Sequence, residues 1–305
     1  MRRPTLLSLS SGGGQPNLSQ NDLREIRLSV PPLPEQQAIA TFLDTETAFI
    51  DGLIEKKEQQ VALLQEQRSA LISHAVTKGL DPDAPMKDSG VEWLGEMPVG
   101  WDVNLFKRVA FYQEGPGLRN WQFTDDGVKV ICVTNITENG IDFSSYQKYI
   151  GYDEYLRSYQ HFTVNKGDLL LSSSGNSWGK VSEYNSDDDT ILNTSTIRIN
   201  VNRDLTLTKG LLKWMIQSES SREQLGLMMT GSCQPNFGPS HLAKVIICVP
   251  PLPEQHAIAA YLDTETARID ALSTKVSQSI ELLKEFRSAL ISAAVTGAID
   301  VRDAV

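Results

Sequence analysis

At 305 residues, with 40 % hydrophobic and 22 % charged side chains, the chain exceeds the ~100–150 residues of a common domain and has enough apolar content to bury a core. No run approaches the ~18–20 unbroken apolar residues of a membrane span, and Met1-Arg2-Arg3-Pro4 is not followed by a secretory apolar stretch, so the sequence reads as cytoplasmic with no membrane partner. A formal charge of −10 excludes a protein that coats nucleic acid by bulk attraction, because neutralising phosphates takes clustered Lys and Arg; any such contact is a local face, or is shared with basic partner subunits.

The chain repeats itself. Pro31-Pro32-Leu33-Pro34-Glu35-Gln36 recurs as Pro250-Pro251-Leu252-Pro253-Glu254-Gln255, an offset of 219 (250 − 31), and the same offset carries Gln15-Pro16-Asn17 onto Gln234-Pro235-Asn236 and Leu43-Asp44-Thr45-Glu46-Thr47 onto Leu262-Asp263-Thr264-Glu265-Thr266. A fixed period of this kind means duplication. The strand-like region Pro98 to Ser221 has no counterpart before the first copy, so residues 1–30 are expected to be the C-terminal remnant of a first domain, and the whole chain a truncated two-repeat protein.

Each Pro-rich hexapeptide leads into a long helical pattern, expected over residues 31–78 and 250–297, with Glu35 and Glu254 where the helix dipole favours acid. Leu43, Ile50, Leu64 and Leu71 lie on a seven-residue grid interrupted by Lys57, and Leu262, Ile269, Val276, Leu283 and Leu290 fill it completely. Leu53, Leu272 and Phe286 widen the stripe. This is a coiled-coil seam, and each helix is the other's best partner, in antiparallel sense; the bland alternative is two helices lying on a globular core.

After the first helix, Gly79-Leu80-Asp81-Pro82-Asp83-Ala84-Pro85 reads as a helix stop and opens a linker over residues 79–97. Residues 98–249 change pattern. Val128–Val133, Asp168–Ser172 and Thr196–Val201 read as strands between Gly-, Asn- and Asp-rich turns, and helical periodicity returns around Leu211–Ile216. The expected fold class is α+β: one domain of mixed strands and helices, plus two long antiparallel coiled-coil helices, with residues 298–305 as a tail.

Little in the sequence looks catalytic. Cys132, Cys233 and Cys248 form neither a disulfide framework nor a zinc motif, and the histidines are scattered. Gly175-Asn176-Ser177-Trp178-Gly179-Lys180 is one residue short of a phosphate loop and lacks its Ser or Thr, so it reads as a hairpin presenting Asn176, Ser177 and Lys180, or as an ordinary surface turn. The amides of Gln234 and Asn236 suit either turn capping or adenine. Asp187-Asp188-Asp189 reads as a solvated loop rather than a metal site.

The Pro-Pro-Leu-Pro-Glu-Gln helices, with Arg68-Ser69-Ala70-Leu71-Ile72-Ser73 and its repeat at 287–292, resemble those of the specificity subunit of type I restriction-modification enzymes, and Met86 to Trp101 is similar to the junction before such a subunit's second target-recognition domain. The resemblance implies a non-catalytic subunit that reads half of a split site in double-stranded DNA and docks methyltransferase subunits through its helices. A non-reading scaffold or regulatory fragment is the alternative. It implies no cofactor in this chain, with S-adenosylmethionine and ATP used by partner subunits, and contact with restriction/translocase subunits through the complex. Carried onto this sequence, the DNA-binding candidates are Arg119, Asn120, Asn135, Asn176, Ser177, Lys180, Gln234 and Asn236. The missing first domain suggests a homodimer in which residues 1–30 pair with a second copy.

Overall fold

The computed structural model describes residues 24, 30–137, 140–202, 207–229 and 236–302. The fold is α+β. In chain order, helix α1 (Leu33–Lys78) is followed by β1 (Met86–Asp88), β2 (Glu96–Pro98), β3 (Asp102–Leu105), β4 (Ala110–Glu114), β5 (Phe123–Thr124), β6 (Val128–Ile131), β7 (Ile136–Thr137), β8 (Gly140–Ile141) and β9 (Tyr149–Ile150). Then come β10 (Leu169–Ser172), β11 (Val181–Glu183), β12 (Thr190–Leu192), β13 (Thr196–Val201), helices α2 (Lys209–Gln217) and α3 (Glu219–Met228), strand β14 (Ile246–Val249) and helix α4 (Leu252–Val295). No helix among the described residues is long and apolar enough to cross a membrane.

The chain divides into two compact units. One holds α1 up to Gln65 and α4 from Ile269; the other runs from Glu66 to Arg268. In the first, burial follows a four-three spacing: Ile50, Leu64, Ile269, Val276, Ile280 and Ala294 are buried, while Leu43, Ile54, Val61, Leu283 and Leu290 are half-buried. Arg287 grips Asp51 with two hydrogen bonds of 2.7 and 3.0 Å, and Glu58, farther along α1, shares a cleft with Ser277, Ile280 and Glu281, which lie earlier in α4. The two segments therefore run antiparallel. Leu272 and Phe286, expected on the seam, are instead 44 % and 56 % exposed, because the spacing that buries Ile269 and Val276 turns them outward.

In the second unit, one four-stranded sheet has the order β11-β10-β13-β4 and another the order β12-β6-β9-β5, with β12 and β6 parallel. The strands β10 and β12 are buried along their whole length, which is why their sequences are nearly unbroken runs of Leu and Ile, whereas β13 alternates, with Ile197 and Ile199 buried and Arg198 and Asn200 half-buried. The expected strands at Val128, Asp168 and Thr196 and the helix at Leu211 all form. Two grid residues belong here: Leu262, with no exposed surface, lies in the domain core with Ile258 and Ala259, and Leu71 packs beside it with Ile72 and Val76. Besides any contact between the helices, these two residues serve the domain, because the end of α1 and the start of α4 both cover its core.

Residues 79–97, expected as a linker, are ordered. Strand β1 pairs antiparallel with β2, and Leu94 and Met97 join the core. Gly79 takes φ +81°, ends α1, and sits so close to Trp101 that an added Cβ would lie 3.3 Å from the indole.

Candidate nucleic-acid interface

Four segments far apart in sequence meet at one edge of the β11-β10-β13-β4 sheet. After β4 the chain passes Gly115 so closely under the β12–β13 turn that a Cβ there would fall 2.2 Å from the Asn193 carbonyl oxygen. In that turn Ser195 adopts φ +62°, costly for a side chain other than glycine by about 1 kcal/mol or more. It is held there because its N–H donates to Glu114 Oε1 at 3.1 Å, while its carbonyl accepts from the Ser173 N–H at 2.9 Å and the Ser173 hydroxyl at 3.1 Å. Ser174 in turn bridges Asn236, and the Phe237 N–H donates to the Ser173 carbonyl at 3.1 Å. Segments 113–115, 172–177, 193–195 and 236–238 thus form one polar face.

The hairpin between β10 and β11 is closed by Ser172 and Lys180 main-chain bonding and by Ser172 and Ser177 hydroxyls 2.9 Å apart. Gly175 and Gly179 supply the positive φ values, +66° and +80°, that the tight turn requires. Asn176 is exposed at its tip, Ser177 is half-buried because its hydroxyl is committed inward, and Lys180 is half-buried on its flank. Asn236 is exposed beside this hairpin. Gln234 lies outside the described residues.

Arg119 and Asn120 are exposed on a separate, well-anchored turn. Gln122, 7 % exposed, accepts the Arg119 N–H at 2.8 Å and donates to Glu154 at 2.7 Å and the Tyr159 hydroxyl at 2.9 Å. The same turn holds the Trp121 side chain outward, 79 % exposed.

Asn135 is a correction. It is 1 % exposed; its Oδ1 accepts the Cys132 N–H at 2.9 Å and its Nδ2 donates to the Asp142 and Tyr146 carbonyls at 2.8 and 2.7 Å. An amide with every group committed to main chain inside the fold cannot also read a base edge. It fixes the turn Val133–Asn135, whose Thr134 is the exposed residue.

No group of three or more His, Cys, Asp or Glu among the described residues is placed to hold a metal. Asp187 and Asp188 are instead paired with Lys166 and Lys129 at 2.9 and 2.8 Å, which lowers the Asp188 pKa, chiefly through the Lys129 hydrogen bond. Cys132 and Cys248 are buried, and desolvation pushes their thiols up, Cys248 to about 11.

The sequence matches the type I restriction modification DNA specificity domain over residues 3–63 and 98–282. The chain belongs to that family. The specificity subunit of the type I restriction enzyme MjaVIII from Methanocaldococcus jannaschii is 24 % identical over 99 % of this chain and 69 % of its own length. That of EcoBI from Escherichia coli is 23 % identical over 92 % of this chain and 60 % of its own. The fold of this specificity-family chain also resembles a solved chain from a study of assembly and conformational transition in a type I restriction-modification system, with a TM-score of 0.72 at 16 % identity over 96 % of this chain and 67 % of that one. The HsdS subunit from Thermoanaerobacter tengcongensis gives 0.52 at 17 % identity, over 97 % of this chain and 67 % of that one.

The sequence reading missed Glu114 and Arg222. Glu114 shows no pattern that marks it as the support of a strained turn, and Arg222 is one charge on a short helix until folding sets it against Trp178.

Proposed function

We propose that this chain is the DNA-reading, non-catalytic subunit of a cytoplasmic type I restriction-modification complex, in which the unit from Glu66 to Arg268 reads one half-site and the paired helices dock methyltransferase subunits. Restriction/translocase subunits join through that complex, and S-adenosylmethionine and ATP are used by the partners. The observation that carries this reading is the convergence of four polar segments on one face, with Ser195 held in a strained conformation to complete it. Side chains that stand out there, Asn176 and Asn236, suit base edges, and Arg119 suits a phosphate or a guanine.

Selection from randomised duplexes by the full chain with its methyltransferase partner tests the reading. One enriched half-site is expected, and Asn176→Ala or Asn236→Ala is expected to relax it at particular positions by about 1–3 kcal/mol per base. A flat sequence profile would leave a scaffold rather than a reader.

A second copy of this chain is the partner that best suits the start of α1. Ile258 and Leu262 are 1 % and 0 % exposed, whereas their repeats Ile39 and Leu43 are only half-buried and Gln36, the repeat of buried Gln255, is exposed. A symmetric dimer predicts a palindromic split target. Mass measurement of the complex with methylation mapping decides; one copy per complex on an asymmetric site would refute it.

A further inference from the structure

On the flank of the Ser172–Lys180 hairpin lies a cleft lined by Arg68, Gly179, Lys180, Val181, Gln217 and Arg222, with Arg68 also over the Trp214 ring at 5.9 Å. The chain as a whole is acidic, so this grouping runs against the average. Arg222 is placed with care. Its guanidinium carbon stands 5.0 Å over the Trp178 ring, and Gly179, which takes φ +80° in the turn, lies directly beside the guanidinium. Trp178 in turn meets Phe237 edge-on at 6.4 Å, next to exposed Asn236.

The hairpin resembles a phosphate loop in sequence, yet its main chain cannot act as one. The N–H groups of Trp178, Gly179 and Lys180 all donate within the hairpin, to Gly175, Ser172 and Ser177 at 3.2, 2.8 and 3.1 Å. An anion here is held by side chains: a planar guanidinium for two oxygens, and Lys180 as a point charge.

We infer that this cleft is an anion site that takes a phosphodiester group of the DNA backbone beside the half-site, held by Arg222 and Lys180. The inference rests on the DNA-reading role proposed above. Through the edge-on Trp178–Phe237 contact, the same site sets the position of the hairpin that carries Asn176 and of Asn236, so backbone contact and base reading share one support.

The test measures binding of the full chain, with its methyltransferase partner, to a duplex enriched from a randomised pool and to an unrelated duplex, across a salt series. Arg222→Ala and Lys180→Gln are each expected to weaken both duplexes alike and to reduce the slope of log K against log salt by about one. Arg222→Lys, which keeps the charge, is expected to keep the slope. Unchanged slopes for both cation removals, or weakening confined to the enriched duplex, overturn the proposal. So does saturable binding of inorganic phosphate that Arg222→Ala abolishes while the DNA slope stays put, which would assign the cleft to a free anion. Absence of any preference between the duplexes would reject the reader role alone, because the slope on the unrelated duplex still tests the phosphate contact.

Discussion

Gln36 and Gln255 turn their side-chain amides back onto Pro31 and Pro250 at 2.7 and 2.8 Å, and their main-chain N–H groups onto Pro32 and Pro251 at 3.0 Å each. Further along, Thr47 and Thr266 bond the carbonyls of Leu43 and Leu262 in the same way. The two helix starts are built alike, bond for bond. Their surroundings differ. Gln255 is buried and also accepts the Thr208 N–H at 2.7 Å, and Glu254 accepts the Trp101 indole at 2.8 Å; Gln36 is exposed. Local sequence thus sets the shape of the start, and whatever folds in front of it sets how much it stabilises.

The largest expected contrast is between leucines. Leu262→Ala empties a fully buried position and should cost about 2–5 kcal/mol, whereas Leu43→Ala, half-buried, should cost less than half of that in urea unfolding. Equal losses would mean that the two copies are equally supported. Leu283→Ala sits between them, at about 1–2 kcal/mol, because Leu283 is half-buried and lets the seam close over part of the gap.

Gln255→Ala strands the part-buried Thr208 N–H and empties a buried position, and is expected to cost about 1–3 kcal/mol, while Gln36→Ala at the exposed start should cost about 0.5 kcal/mol. Thermal unfolding of the two variants side by side checks this, and a larger loss at Gln36 would show that its exposure is misread.

The strand leading into α4 is sharpened by Cys248. Its thiol is raised by burial from 9.0 to about 11, so its contribution to stability is complete below pH 9 and is lost as pH rises from 9 to about 11. Alkylation at pH 8, followed on the Cys248 peptide by mass spectrometry, should run ~100-fold slower in the folded chain than in urea. Comparable rates would place β14 away from the core.

The smallest effect is expected at Arg287. Its pair with Asp51 is bidentate but 37 % and 51 % exposed, so Arg287→Ala should cost about 0.2–1 kcal/mol, less at high salt. A cost of several kcal/mol would mean that this ion pair, and not the apolar seam, sets the helix register.

The exposure of part of the candidate site was legible from residue type alone. Asn176, Asn236 and Arg119 stand in polar turns, and Gly, Asn and Ser clusters mark turns wherever they occur. Asn135 reads the same way and is not, since whether an amide turns outward or caps its own loop depends on Asp142 and Tyr146, which no local pattern brings near. Arg222 is the converse case: its place over an aromatic ring exists only once Trp178 folds beneath it.

The duplication, the two helices and their antiparallel seam, and the strands at Val128, Leu169 and Thr196 follow from sequence by itself, because helix and strand periods and the burial of apolar runs are local consequences of chain geometry. Tertiary structure alone decided that Leu71 and Leu262 serve the domain core, that residues 79–97 are an ordered hairpin, and that Glu114, Ser173, Ser195 and Asn236 meet. Those outcomes depend on which surfaces compete for the same apolar side chains and on which loops end at one sheet edge, and both are set only when segments distant in sequence have packed.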